Sequence, residues 1–157
     1  MTKEDLTSKG ASWKVRSLNI HNLHSCIHLD QIALKGLWSK QQWEKELSDS
    51  KRLCIGVFKS SNLIAFACSW IVIDELHLTA IAVHPFYRRV GLGKIVLLNL
   101  FQKASTQGCK RATLEVETSN KAALALYQSC GFSTAGCRHN YYKNGSDALI
   151  QWRSLRF

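Results

Sequence analysis

Apolar and polar positions along the chain fall into two periods, and the switches between them mark the elements. Short alternating or apolar runs at 13–19, 53–58, 63–73, 75–83 and 111–117 predict strands. In the last of these, Ala112, Leu114 and Val116 share one side and Thr113, Glu115 and Glu117 the other, because successive strand side chains alternate. Helical spacing runs over 21–34, 39–48, 91–106 and 120–130. Leu92, Ile95, Val96, Leu98, Leu100 and Ala104 give the third of these its apolar side. In the fourth, Ala123, Leu126, Tyr127 and Cys130 recur at i, i+3, i+4 and i+7. Ser39 is positioned to cap the second helix and Gly131 to stop the fourth. Ser61-Asn62, Asp74-Glu75 and the run Lys143 to Ser146 supply turns, the last joining two final strands at 132–142 and 147–155. The order β-αα-βββ-α-β-α-ββ predicts an α/β (α+β) fold. Its core is a mixed, largely antiparallel sheet of about seven strands with helices on both faces.

Composition narrows the class. The chain has 157 residues, 46% of them apolar and 20% charged, which suits one globular domain over residues 12–157. Residues 1–11 are polar and read as a flexible N-terminus. The longest apolar stretch, from Leu63 to Ile73, is shorter than the roughly 20 residues of a membrane span. The opening Met-Thr-Lys-Glu-Asp has acids and no apolar core, unlike a secretory signal. No membrane contact and a cytoplasmic location are therefore expected. Six cysteines without a C-x-x-C pair read as reduced thiols.

Charge changes the picture more. Lys and Arg number 21 against 11 Asp and Glu, a formal +10 that favours anionic partners, non-specific RNA association among them. No acid lies between Glu75 and Glu115, whereas Arg88, Arg89, Lys94, Lys103, Lys110 and Arg111 do. Three of these cations crowd the segment Arg88-Arg89-Val90-Gly91-Leu92-Gly93-Lys94, which joins a strand to a helix. A Walker A loop would need Gly at 88 and Ser or Thr at 95, where Arg88 and Ile95 stand; a dinucleotide fingerprint would need a small residue where Val96 stands. What remains is Arg-x-x-Gly-x-Gly at a helix N-terminus. Unpaired N–H groups, the helix dipole and the cations all favour a phosphate there, while a plain strand–turn–helix junction would use the same glycines.

That segment resembles the acetyl-CoA loop of the GNAT acyltransferases, written Q/R-x-x-G-x-G/A. Leu114-Glu115-Val116-Glu117-Thr118-Ser119-Asn120 and the run from Ala123 to Phe132 resemble a narrower group, the RimI-type ribosomal-protein-alanine N-acetyltransferases. Asn140-Tyr141-Tyr142, Asp147-Ala148 and, more weakly, Leu37-Trp38-Ser39 do so too. The resemblance covers about residues 12–155 and implies the GNAT fold. It implies acetyl-CoA as cosubstrate, its pantetheine along Ile81, Ala82 and Val83 and its pyrophosphate on the loop Arg88, Arg89, Val90, Gly91, Leu92, Gly93 and Lys94, with Asn120 as a further contact. It implies Glu115 as general base and Tyr127 as general acid, with Trp38, Tyr141 and Tyr142 bordering the acceptor. Tyr141 and Tyr142, if on a strand, would point to opposite sides.

The implied acceptor is a protein N-terminal α-amine, that of a ribosomal-protein alanine. An α-amine of pKa about 7.8 is roughly one third neutral at pH 7.5, and a lysine near 10.4 about a thousandth, so a modest base acting through water suffices for the former. A lysine, a small amine or an aminoacyl-tRNA remains an alternative acceptor, and a non-catalytic RNA-binding role a further one. Direct attack in a ternary complex needs neither a cysteine nor a metal. His21, His24, Cys26 and His28 have one helical-turn pair among them but no distant partner set, so no metal is expected there.

Overall fold

The structure, a computed structural model, describes residues 12–156; the expected flexible N-terminus lies outside them. Seven strands form one sheet: β1 Trp13–Ser17, β2 Arg52–Lys59, β3 Asn62–Val72, β4 Glu75–Val83, β5 Arg111–Glu117, β6 Ser133–Arg138 and β7 Ala148–Ser154. The helices are α1 Leu23–Leu34, α2 Lys40–Ser48, α3 Leu92–Thr106 and α4 Lys121–Ser129. The strand order is β1-β2-β3-β4-β5-β7-β6, antiparallel throughout except for β4 beside β5. β1 and β6 are shorter than their apolar patterns predict. In particular, Asn140, Tyr141 and Tyr142 belong to a turn and not to β6, so strand alternation does not separate the two tyrosines.

Two apolar layers sandwich the sheet. On one face α3 and α4 bury Ile55, Val57, Ala65, Leu76, Leu78, Ala112, Leu114 and Val116. Leu97 and Phe101 join the inward side of α3, which is wider than the predicted stripe. On the other face α1 and α2 cover Cys54, Phe58, Phe66, Cys68, Ala80 and Ala82. The second cover is partial. The register sets Trp70, His77, Thr113 and Trp152 side by side across β3, β4, β5 and β7 on this face. Trp70 and Trp152 remain 42% and 43% exposed, so this part of the sheet is an open floor.

A buried carboxylate fixes one border of that floor. Asp30, 1% exposed near the end of α1, accepts from Leu37 N (2.7 Å), Trp38 N (3.1 Å) and Trp43 Nε1 (2.8 Å). These bonds replace its hydration and hold the chain between α1 and α2 against α2. Ser39 caps α2 as expected, accepting from Gln42 N, while the Gln42 side chain accepts from Ser39 N. Asp30→Ala strands three donors, one of them a buried indole. Its expected cost is about 3 kcal/mol, a fall in Tm of roughly 6–12 °C by calorimetry. A change within 1 °C would contradict this role.

Candidate active site

The parallel pairing of β4 with β5 is short. Glu75, Leu76 and His77 pair with Arg111, Ala112 and Thr113, and there the ladder stops. β4 continues to Val83, still held by β3, and β5 continues to Glu117, still held by β7. The two strands therefore diverge from Leu78 and Leu114 onward. At this point β4 carries a bulge: Cys68 pairs with Ala80 and Ser69 with Leu78, leaving Thr79 as the extra residue with its buried hydroxyl unpartnered. A bulge increases local twist and ends pairing, which is what a split sheet requires. Among the described residues, the β5-facing edge of β4, including Ile81, Ala82 and Val83, has no strand partner. An extended chain of amides fits such an edge as an added strand does.

The open end of the split leads to the basic loop. Arg88, Arg89 and Lys94 are exposed, and α3 begins at Leu92 with Gly91 as its N-cap. The two glycines serve different needs. Gly91 has φ +86° with open space where a Cβ would stand, so its backbone conformation demands glycine. A Cβ on Gly93 would meet Leu126 at 3.2 Å, so this glycine lets α3 approach α4. Arg88 is partly committed: its Nε donates to Val83 O at 3.2 Å. Asn120 caps α4, accepting from Ala123 N at 3.1 Å. Together the split edge, the helix N-terminus and the cations match a long thiol cofactor with internal amides and a pyrophosphate.

Glu115 and Tyr127 sit on opposite faces of the split. Glu115 faces the open floor and is held by His77, whose Nε2 is 3.0 Å from Oε2, and by Arg138, whose Nε is 3.7 Å from Oε1. The chain of contacts continues: His77 Nδ1 to Thr113 Oγ1 at 3.2 Å, Thr113 Oγ1 to Glu75 Oε1 at 3.0 Å, and Glu75 Oε2 to Arg111 Nε at 3.0 Å. Sequence reasoning missed His77 and Arg138, because no local pattern reveals a register between β4 and a strand so far along the chain. It missed Trp70 and Trp152 for the same reason, and Asp30 because its burial depends on how the α1–α2 connection folds back over the end of α1.

Tyr127 belongs to the α3–α4 side, 6% exposed, its ring 5.8 Å from that of Phe132. Burial pushes its phenol up to about 12, helped by Tyr142 and Cys130. Tyr142 links the two sides. Burial raises its own pKa first, then the neighbouring charges of Tyr141, Glu115 and Glu117. Tyr141 is 49% exposed and meets Tyr142 edge-on at 5.1 Å. The turn that carries both is tied to β5 through Glu117, which accepts from Ser146 Oγ (2.6 Å) and Asn144 Nδ2 (3.2 Å), bonds that lower its pKa. Trp38 packs edge-on against Trp43 at 4.8 Å, at the opposite border of the floor.

The model of the acetyltransferase (GNAT) family matches residues 18–132. The chain belongs to the GNAT acetyltransferase family. It is 36% identical over 139 residues to the [ribosomal protein bS18]-alanine N-acetyltransferase of Escherichia coli K12, covering 87% of this chain and 93% of that one. The crystal structure of the ribosomal-protein-S18-alanine N-acetyltransferase from Escherichia coli superposes with a TM-score of 0.85 at 34% identity, over 93% of this chain and 96% of that one. The Arabidopsis thaliana NAA60 structure in complex with acetyl-CoA shares the fold at a TM-score of 0.81 and 14% identity, over 91% and 98% of the two chains. As a GNAT member the chain is an acetyl-CoA-dependent N-acetyltransferase with the expected mixed sheet. Among the described residues no helix is long and apolar enough to cross a membrane.

The raised phenol is directly measurable. In an absorbance titration at 295 nm, Tyr127→Phe is expected to leave the ionisation change between pH 8 and 10.5 unaltered, because Tyr127 keeps its proton there. Loss of one tyrosine's worth of signal in that range would contradict its burial.

Proposed function

We propose that this GNAT enzyme acetylates a protein N-terminal α-amine, that of the N-terminal alanine of a small-subunit ribosomal protein. The split sheet carries the reading, because it opens to both faces. Glu115 lies on one side and Tyr127 on the other, so a nucleophile and a leaving group have separate routes. The named activity of the Escherichia coli relative supports the acceptor class. In this reading residues 12–157 act as one acetyltransferase domain in the cytoplasm. The formal +10 charge favours loose association with RNA near ribosomes.

When bound, acetyl-CoA supplies the acetyl group as a thioester. The β4 edge at Ile81, Ala82 and Val83 pairs with its pantetheine amides, and the loop from Arg88 to Lys94, with Asn120, holds the phosphates. The acceptor crosses the floor between the α1–α2 connection, with Trp38, and the turn bearing Tyr141 and Tyr142. Glu115 removes the proton of the α-ammonium, directly or through water, and His77 and Arg138 hold its carboxylate in position. The free amine would attack the acetyl carbon; as the carbon–sulfur bond breaks and the amide forms, the coenzyme A thiolate leaves and the second amine proton passes to that thiolate or to solvent water. Tyr127 stabilises the departing sulfur by donating a hydrogen bond while keeping its proton. Full transfer from a phenol near 12 to a thiolate of pKa about 8.5 would be uphill by about 5 kcal/mol. The raised phenol thus favours hydrogen-bond donation over full proton transfer for Tyr127.

Intact-mass spectrometry tests the acceptor class. With acetyl-CoA, a peptide bearing a free N-terminal alanine and an internal lysine is expected to gain one acetyl group, and its N-terminally blocked twin none. Acetylation of both would move the reading to lysine; acetylation of neither, with acetyl-CoA bound, to small amines or aminoacyl-tRNA. Variant kinetics test the roles. Glu115→Gln is expected to lower kcat by about 100-fold or more with acetyl-CoA affinity unchanged. His77→Ala is expected to lower kcat by about 10-fold, with partial recovery in His77→Gln, whose amide can still donate to Glu115. Unchanged kcat in either Glu115→Gln or His77→Ala would remove that residue from its role.

A further inference from the structure

We propose that Cys137, His139 and Asp147 form a zinc site at the base of the turn between β6 and β7, separate from the acetyl-transfer chemistry. Each contributes one potential donor atom, and the three atoms lie within 4.8 Å of one another. His139 Nδ1 and Asp147 Oδ2 are 3.2 Å apart. Bonds of about 2.0–2.3 Å to a tetrahedral ion imply donor–donor edges of roughly 3.3–3.8 Å. The His139–Asp147 pair is therefore already near its liganding separation, and closure asks about an ångström of Cys137.

A further contact orients the carboxylate. Asn140 N donates to Asp147 Oδ1 at 3.0 Å, which leaves Oδ2 turned to His139. Backbone bonds of this kind commonly aim the ligands of metal sites. The donor set is one sulfur, one imidazole nitrogen and one carboxylate oxygen. It suits zinc, whereas magnesium and calcium prefer oxygen throughout. Three protein ligands leave a fourth position for water or an incoming group. Binding converts the Cys137 thiol to thiolate and releases its proton to solvent.

The location gives the site a consequence. Cys137 pairs in register with Leu149, which packs into the α3–α4 layer, whereas its neighbour Arg138 reaches Glu115. Cys137 thus leaves the strand on the face opposite the acceptor floor. It is exposed, unlike the other five cysteines. The chain between Cys137 and Asp147 carries Tyr141 and Tyr142, together with Asn144 and Ser146, the two residues that hold Glu117. A metal across its base ties down this whole turn. The histidine-rich start of α1 offers no rival, since Cys26 is wholly buried against the sheet.

Cobalt(II) provides the optical probe and zinc the competitor. The wild-type protein is expected to show a thiolate-to-cobalt charge-transfer band in the near ultraviolet that zinc abolishes. Cys137→Ser should lack the band. Both Cys137→Ser and His139→Ala should weaken zinc binding at least ten-fold in competition with a chelating dye. His21→Ala, at an exposed histidine elsewhere, should bind as wild type does. All three positions are exposed, and circular dichroism is the check that each variant is folded. Absence of the band in the wild type, or wild-type zinc affinity in either Cys137→Ser or His139→Ala, overturns the proposal.

Discussion

Pairing between β4 and β5 ends at His77 and Thr113, and the candidate site depends on that interruption. A continued ladder would satisfy the backbone of both strands and close the sheet. The bulge at Thr79 and the separate anchoring of β4 by β3 and β5 by β7 keep the strands apart. Backbone groups left unpaired inside a protein cost about 1–3 kcal/mol each. A ligand with its own amides can recover that energy, which makes the split a binding edge as well as a passage.

The surrounding charges follow from the same geometry. Where the strands still pair, His77 and Thr113 stand side by side, and the network from Glu115 to Arg111 runs through them. Where the strands separate, Glu115 projects beside the opening. The floor borders are fixed by two carboxylates of contrasting setting. Asp30 is buried and organises the α1–α2 connection. Glu117 organises the final turn through Ser146 and Asn144. The position of the acceptor groove thus rests on polar contacts between loops and a rigid sheet.

Much of the fold was legible in the sequence because the local signals are strong. Alternation in 111–117 identified both faces of β5, and helical spacing found the four α-helices of the described residues. Capping chemistry worked at Ser39 and at Gly131, whose φ of +85° follows the end of α4. The errors have physical causes. The run Asn140-Tyr141-Tyr142 looks like a strand, but the turn bonds of Asp147 with Asn140 and His139 end β6 at Arg138. Gly93 has a packing role that the sequence does not reveal: a Cβ there would meet Leu126 on α4 at 3.2 Å, a contact that depends on tertiary packing. The placement of Tyr127 on the apolar side of a helix was readable, but its raised pKa was not. The Glu115–His77 pair and the row from Trp70 to Trp152 depend on strand order and register, which alternation alone does not encode.

The most direct measurement is residue-resolved amide hydrogen exchange with and without acetyl-CoA. If the split is the binding edge, amides between Leu78 and Val83 that face β5 gain protection on binding. Those of β4 already paired with β3 change little, and the loop from Arg88 to Lys94 gains protection as well. Protection confined to other strands, with the β5-facing edge of β4 exchanging as fast as before, would contradict the account.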